Sequence, residues 1–323
     1  MMTVDILTRE GLVPATPEEL PVLVEREDTL LWIDIDDAML GHIDTVGRLL
    51  NFHPLAIEDT RNDYQRPKVE EYDEHLFIIV NSLMPNDKKR TIDIEEVDIF
   101  LGRNYIVTIH SKDLHCLRQA RERLMRQGAF RHQSTEFGFY VIIDVIVDSY
   151  FPALEFLENE IEQLEDDIIK NPANNLLAHV LDLKRLVNEI TRVTHYQENM
   201  FGVITRHQRD LFFNNDILTY YLRDVHDHLI KSHSIAMSHT DSLSTLVGLY
   251  MSSTSNRLNI VVNRLAVATI IIGVLTVIGG FYGMNFTHTW PPFEDPRSLP
   301  LVLGVMIASV VGLVIYFKRR RLL

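Results

Sequence analysis

Two long stretches near the C-terminus contain no charged residue, and they constrain the fold more than any other feature. The first covers 23 residues from Leu265 to Thr287, and the second covers 20 residues from Ser298 to Phe317. An α-helix needs roughly 20 apolar residues to cross a hydrocarbon core of about 30 Å. A soluble core helix of this length normally keeps a polar face with charged residues, and neither stretch has a charged residue. We therefore predict two transmembrane helices in contact with membrane lipid.

The distribution of basic residues predicts how these two helices are oriented. Arg257 and Arg264 lie at or before the start of the first predicted helix, and the basic run 318–321 follows the second. The connecting loop, residues 288–297, carries Glu294, Asp295 and one arginine. Because cytoplasmic flanks carry the excess of Lys and Arg, we expect a multi-pass protein of the cell membrane with both termini in the cytoplasm.

The charge of the chain is divided between an acidic body and a basic tail. The chain has 31 Lys plus Arg against 45 Asp plus Glu, a formal net charge of −14. Residues 264–323 contain six basic and two acidic residues, a net charge of +4, so the other 263 residues carry −18. Such a body is repelled by nucleic acid and attracts cations. The single cysteine, Cys116, excludes an intramolecular disulfide and suits a reducing compartment.

The first 133 residues have the pattern of a mixed α/β domain. Apolar, β-branched runs separated by turn residues predict strands. The predicted strands are 30–35, 76–83, 97–101 and 105–109. The predicted helices are 44–50, 54–59 and 113–127. Strands interrupted by helices indicate a layered cytoplasmic α/β domain over residues 1–133.

From residue 134 onward the pattern is helical. We predict a cytoplasmic helical hairpin (134–213), a stalk helix (214–260), a first transmembrane helix (261–287), an external loop (288–297), a second transmembrane helix (298–317) and a basic cytoplasmic tail (318–323). No proline occurs from Asp216 to Phe281, and a helix of that length would measure about 100 Å. Helices this long normally pack against others, so we predict an oligomer.

Small and polar residues recur on one face of the first span. At steps of three and four, this stripe consists of Ser255, Asn259, Val262, Ala266, Thr269, Gly273, Thr276, Gly280 and Gly283. Two interpretations remain open: close packing of membrane helices, or the lining of a water-filled ion path. Neither span contains a carboxylate, which favours a channel for hydrated ions over a proton-coupled carrier. Mg²⁺ dehydrates reluctantly and can be held through water by amides and hydroxyls.

Several motifs resemble those of the CorA family of divalent metal channels. They are Gly283-Met284-Asn285 at the outer end of the first span, and the segments 250–259, 65–70, 223–228 and 316–321. The resemblance covers nearly the whole chain. It implies a funnel-shaped homopentamer with a cytoplasmic α/β domain, a long stalk helix, and a pore lined by the first of two C-terminal transmembrane helices.

The resemblance also implies roles for individual residues. Gly283, Met284 and Asn285 would form the selectivity filter, where five Asn285 carbonyls bind hydrated Mg²⁺. The positions that we assign to the pore lining are Asn259, Val262, Leu265, Ala266, Thr269, Gly273, Thr276 and Gly280. The family often has Met where this chain has Val262 and Gly273, so Leu265 is the candidate constriction.

Regulation and ion supply follow from the same resemblance. Channels of this family close when cytoplasmic Mg²⁺ binds between their cytoplasmic domains. Asp224 in the stalk motif matches one ligand of that regulatory Mg²⁺. We expect a second regulatory ligand near Asp87. Glu294 and Asp295 in the external loop keep the negative charge that concentrates cations.

We therefore predict passive, potential-driven influx of Mg²⁺, with Co²⁺ and Ni²⁺ as further cargo. No Walker loop, dinucleotide motif or nucleophile elbow is present, so we predict neither enzymatic activity nor an organic cofactor. Four stalk histidines at positions 226, 228, 233 and 239 are spaced so that no two lie one turn apart, which favours polar helix faces over a zinc site. The alternatives are a Zn²⁺ transporter of the same architecture and a non-conducting membrane metal sensor.

Overall fold

The computed structural model describes residues 2–8, 11–26, 28–36, 41–62, 65–86, 88–126, 134–170, 174–206, 216–284, 290–292 and 296–320. The chain forms two compact units. The first comprises Met1–Asp166 and Asn174–Leu246, and the second comprises Asp167–Ala173 and Val247–Leu323.

The first unit contains a mixed β-sheet. Within the described residues its strands are β1 (Met2–Thr8), β2 (Gly11–Ala15), β3 (Leu30–Asp36), β4 (Lys68–Glu71), β5 (His75–Asn86), β6 (Thr91–Gly102) and β7 (Tyr105–His110). Their order in the sheet is β2-β1-β3-β7-β6-β5-β4. The β3–β7 pair is parallel and the other neighbours are antiparallel. The four predicted strands lie within β3, β5, β6 and β7, and their apolar runs account for the buried centre of the sheet.

The sheet edge formed by β1 and β2 is not predicted from the sequence. Strand β1 carries a carboxylate, Asp5, at its centre, which argues against a buried strand. In the folded chain Asp5 is buried, and its Oδ2 lies 2.5 Å from Nη1 of Arg121. Burial raises the pKa of Asp5 and the Arg121 charge opposes this increase. A partner 116 positions along the chain therefore permits a strand that local sequence disfavours.

Along the chain, the helices lie between and after these strands. Those described are α1 (Leu20–Val24), α2 (His42–Leu49), α3 (Pro54–Asp59), α4 (His115–Arg126), α5 (Thr135–Asp148), α6 (Tyr150–Lys170), α7 (Asn174–Arg206), α8 (Asp216–Tyr282) and α9 (Ser298–Arg319). One face of the sheet forms an apolar core with α1, α2 and α3. On this face Phe52 stacks on Phe100 with ring centroids 3.8 Å apart.

Helix α8 joins the predicted stalk and the first predicted span without a break. It has 67 residues and ends at Tyr282, just before Gly283 donates its backbone N–H to the carbonyl of Gly279 at 2.9 Å. The boundary between the two units falls after Leu246. The predicted boundary between stalk and membrane at residue 260 stays a prediction, because one helix runs through it.

Three helical segments in the described chain are long and apolar enough to span a membrane: Thr135–Lys170, Leu218–Tyr282 and Ser298–Arg319. They differ in what surrounds them. The most apolar window of the first is 72% buried within the chain, whereas only 6% of the corresponding windows of the other two is buried. The first segment therefore supplies core to the first unit, and the other two present apolar surface that nothing in a single chain covers.

We predict that Tyr150→Phe destabilises the first unit by about 1–3 kcal/mol. Tyr150 is fully buried, and its hydroxyl donates to the carbonyl of Asn81 at 2.5 Å and contacts Oε1 of Gln197. The substitution leaves these acceptors of β5 and α7 in a dry environment without that donor. Denaturant unfolding of the purified protein measures the loss. The matched control Tyr220→Phe, at a residue that is 71% exposed, should unfold like the unsubstituted protein.

We also predict that His75 contributes to acid sensitivity. Burial lowers its pKa, and neither ring nitrogen has a hydrogen-bond partner among the described residues. Below the ordinary pKa of 6.5 the unfolded chain therefore binds a proton that the folded chain does not, and stability falls as pH falls. His75→Phe, which fits among Phe52, Tyr72 and Phe100, should lose less melting temperature between pH 7.5 and 5.5. An equal loss in both proteins would contradict this role.

Candidate functional site

The predicted pore-lining residues occupy one exposed side of α8. All eight of them are exposed in the single chain, and Leu265 lies at the edge of the stripe. They are Asn259, Val262, Leu265, Ala266, Thr269, Gly273, Thr276 and Gly280. A side chain placed on Gly273 or Gly280 would meet no atom of the chain within 4 Å. The stripe therefore has open space beside it along its length.

Another side of the same helix segment is less exposed. Its least exposed positions are Val267, Ile271, Val274, Leu275 and Ile278. At 100° per residue, the centre of this set lies about 150° around the helix from the centre of the stripe. Helix α9 likewise has one less exposed side, which consists of Ser298, Val302, Met306, Ser309, Val310, Leu313 and Phe317. The less exposed side of α8 thus lies roughly opposite the small and polar stripe, although large apolar side chains such as Ile272 and Val277 remain exposed.

The two threonines of the stripe have fixed hydroxyl orientations. Thr269 donates its hydroxyl hydrogen to the carbonyl of Leu265 at 2.9 Å, and Thr276 donates to the carbonyl of Ile272 at 2.8 Å. A hydroxyl has one hydrogen and two acceptor lone pairs. Since each hydrogen is committed to the backbone, each hydroxyl presents its oxygen as an acceptor. Such an oxygen can receive hydrogen bonds from the water shell of a cation.

The predicted selectivity filter is only partly within the described chain. Gly283 and Met284 are exposed and follow the end of α8 directly. The position of Gly283 is tight, because a Cβ atom there would lie 3.3 Å from the carbonyl oxygen of Gly279. Asn285, Glu294 and Asp295 lie outside the described residues, so their predicted roles remain predictions.

The predicted regulatory residue Asp224 belongs to a cluster that could hold a metal. It lies on α8 with His228 one turn further on, and Asp144 of α5 completes the group. One ligand atom from each of the three residues lies within 4.8 Å of the other two. Asp144 is buried, His228 is half-buried and Asp224 is exposed, so the cluster opens to solvent on one side. Two carboxylates and an imidazole can bind a divalent cation.

Carboxylates outnumber the positively charged side chains around this cluster. Arg123 forms an ion pair with Asp144. A further carboxylate, Asp148, lies 3.4 Å from Nδ1 of His228. Burial raises the pKa of Asp148, and the charge of Asp144 raises it further. Three carboxylates around one arginine and one histidine repel one another, and a bound divalent cation would relieve that repulsion.

The composition of the cluster differs from the sequence-based expectation. Asp87, the predicted partner of Asp224, lies outside the described residues. Asp144 is not predicted as a ligand from the sequence, because it lies in the apolar run of α5. His228 is predicted only as part of a polar helix face. The spacing of Asp224 and His228, which are four residues apart, was a usable signal for two ligands on one face.

Ion pairs and hydrogen bonds connect the motif at 65–70 to its neighbours in the sheet and helices. Nζ of Lys68 lies 2.6 Å from Oδ2 of Asp59 and 2.8 Å from Oε1 of Glu70. The backbone N–H of Gln65 donates to Oε2 of Glu96 at 2.6 Å. The guanidinium of Arg66 lies over the ring of Tyr196 at 5.2 Å. These contacts give the motif a structural role that connects the end of α3, β4, β6 and α7.

Comparison with known proteins identifies relatives over most of the chain. Residues 27–319 match the family described as CorA-like Mg²⁺ transporter protein. The chain is 30% identical over 295 residues to the cobalt/magnesium transport protein CorA of Thermotoga maritima, a match that covers 91% of this chain and 83% of the relative. It is 31% identical over 316 residues to YfjQ of Bacillus subtilis, whose name refers to metal ion transport, covering 94% and 93%.

A solved structure has the same fold. The complete structure of the CorA magnesium transporter from Methanocaldococcus jannaschii matches with a TM-score of 0.79 at 19% identity. The match covers 99% of this chain and 98% of that one. At this identity the likeness concerns the fold alone: an N-terminal α/β unit, a long helix and two C-terminal apolar helices.

Proposed function

The chain belongs to the family of CorA-like Mg²⁺ transporter proteins, and we propose that it is a passive channel for Mg²⁺ influx. As a member of that family it is a divalent-cation transporter of the membrane rather than an enzyme. The finer proposal concerns mechanism, cargo and gating. The observation that carries it is the exposed stripe of small and polar residues on α8, whose opposite side is less exposed.

The stripe requires several copies of the chain to enclose a path. One α8 helix presents its small and polar residues to open space, and a single helix cannot surround an ion. We propose a homopentamer in which five stripes face a common axis and the apolar sides face outward. The glycines and Ala266 allow room for a hydrated ion, and Leu265 at the edge of the stripe supplies an apolar constriction.

The proposed path suits an ion that keeps its water. Its polar groups are the amide of Asn259 and the hydroxyls of Thr269 and Thr276, and the spans contain no carboxylate. These groups accept hydrogen bonds from coordinated water without stripping it from Mg²⁺. At the outer end, Gly283, Met284 and Asn285 would form the selectivity filter, with Glu294 and Asp295 concentrating cations nearby.

Membrane potential supplies the driving force in this proposal. With both termini in the cytoplasm, cations enter from the loop side. One elementary charge gains about 2.3 kcal/mol per 100 mV, so a divalent cation gains roughly twice that. No proton gradient or nucleotide hydrolysis is required.

We predict that Asn285→Ala abolishes Mg²⁺ uptake while the protein still assembles. Removal of the side-chain amide deletes the outer-sphere ligand at which the hydrated ion is selected. Uptake is measured in proteoliposomes that contain a Mg²⁺-sensitive dye and carry a negative internal potential. The matched control Asn159→Ala, at an exposed position of α6, should conduct normally. Unchanged flux in Asn285→Ala would eliminate the filter assignment.

The same proteoliposomes separate the alternatives. In a Zn²⁺ transporter, excess Mg²⁺ would not reduce the Zn²⁺ flux, or the flux would depend on a proton gradient. A membrane metal sensor would carry no ion in either direction. Potential-dependent Mg²⁺ flux without a proton gradient supports the channel.

Gating is proposed to act through the cluster of Asp144, Asp224 and His228. Binding of cytoplasmic Mg²⁺ there would relieve carboxylate repulsion at α8, which continues into the first span. Asp224 is the ligand most open to solvent, and its motif resembles the family's regulatory one. Loss of Mg²⁺ would restore the repulsion and favour a different arrangement of the assembled chains.

We predict that Asp224→Lys weakens inhibition by internal Mg²⁺ by about tenfold or more, equivalent to about 1.4 kcal/mol of binding free energy. The new ammonium group replaces a metal ligand with a cation. Flux is measured over a range of internal Mg²⁺ concentrations. Asp227→Lys makes the same charge change at an exposed position of α8 outside the cluster and should retain normal inhibition. Identical curves for the two variants would exclude Asp224 as a sensor ligand.

A further inference from the structure

A second cluster of metal-binding side chains lies between α7 and α8, apart from the groups already discussed. It consists of His195 and Glu198 on α7 and His233 on α8. One ligand atom from each residue lies within 4.8 Å of the other two. The two imidazole rings have centroids 5.1 Å apart. All three residues belong to the first compact unit.

Local sequence and helix packing explain how the three residues meet. His195 and Glu198 are three positions apart, so they share one face of α7. Two further polar contacts between α7 and α8 lie on one side of the cluster, toward the start of α7. The hydroxyls of Thr191 and Thr240 lie 3.3 Å apart, and Lys184 donates to the hydroxyl of Ser244 at 2.9 Å.

The hydrogen bonds of Thr194 prepare His233 to bind a metal. Oγ1 of Thr194 lies 3.0 Å from the carbonyl oxygens of both Ile190 and Thr191, either of which can accept its one hydrogen. With that hydrogen on a carbonyl, the oxygen accepts from Nδ1–H of His233, which lies 3.3 Å away. The ring then carries its proton on Nδ1, which leaves the Nε2 lone pair available. Metal-binding histidines are typically oriented by such a contact to the second nitrogen.

His195 also has an oriented ring. Nε2 of His195 lies 3.0 Å from the side-chain amide of Asn199, one helical turn further along α7. The same amide nitrogen donates to the backbone carbonyl of His195 at 2.9 Å, so it is also the donor toward Nε2, and a metal bound through Nε2 would replace this contact. Both histidines therefore have one nitrogen in contact with a polar side chain on α7.

We propose that His195, Glu198 and His233 bind one transition-metal ion of the Zn²⁺, Co²⁺ and Ni²⁺ class. Two imidazoles and one carboxylate form a ligand set that Zn²⁺ uses with water in the fourth position. Mg²⁺ prefers oxygen ligands and near-octahedral geometry, so this set discriminates against it. The ion would join α7 to α8 and act independently of Mg²⁺ conduction.

The test uses full-length protein purified in detergent and freed of metal. Zn²⁺ binding is measured by titration calorimetry in excess Mg²⁺, together with the melting temperature. The test variants are His195→Ala, His233→Gln and the nearly isosteric Glu198→Gln. The control is His179→Ala, a half-buried histidine of α7 outside the cluster. His228→Ala reports on the acidic cluster at Asp224.

We expect the unsubstituted protein and His179→Ala to bind one Zn²⁺ per chain at this site and to melt at a higher temperature with Zn²⁺. Each cluster variant should lose that ion, or bind it at least tenfold more weakly, and lose the thermal gain. Co²⁺ should give a tetrahedral visible spectrum that disappears in the same variants.

Three results would overturn the proposal. They are unchanged Zn²⁺ stoichiometry and affinity in all three cluster variants, loss of the Zn²⁺ in His228→Ala alone, and displacement of the Zn²⁺ by Mg²⁺ at comparable concentration. None of these measurements involves transport. Failure of the Mg²⁺ channel assignment would therefore leave the outcome unaffected.

Discussion

The exposed apolar surface of α8 and α9 is the constraint on which the rest of the molecule depends. In a bilayer every backbone polar group must be satisfied within the segment, and a continuous helix achieves this. Only 6% of the most apolar window of each helix is buried within the chain. Lipid or other copies of the chain must cover the remainder. The side of α8 that carries the small and polar residues is the side that lipid suits least, which is why we place it at an axis.

The uninterrupted course of α8 links the two kinds of site physically. Asp224 and His228 lie near its beginning, and Thr276 and Gly280 lie near its end. No proline interrupts the helix between them. In the proposed mechanism, a change in repulsion around Asp224 therefore acts on the same helix that carries the stripe. The Asp144 carboxylate on α5 provides the fixed side of that interaction.

Local pattern was sufficient for the spans and for the central strands, because both depend on continuous apolar runs. It was insufficient wherever a buried charge has a distant partner. Asp5 interrupts the apolar pattern of β1, so a pattern-based prediction does not find this strand. Its burial is possible because the folded chain places Arg121 beside it. Asp144 lies in an apolar helix and becomes recognisable as a candidate ligand only when α8 supplies Asp224. His233 has no partner one turn away on α8, since its partners, His195 and Glu198, are on α7.

The two candidate metal clusters differ in ligand composition and therefore in chemistry. The cluster around Asp224 has carboxylates in excess, with Arg123 competing for Asp144, and burial already raises the pKa of Asp148. In the proposed mechanism, its affinity for a hard cation would come from relief of repulsion, and salt or a competing cation would weaken it. The cluster around His233 has two imidazoles and one carboxylate, so coordination rather than net charge would hold its ion. A chain with an acidic body can thus respond to abundant Mg²⁺ at one site and reserve the other for a metal that prefers nitrogen.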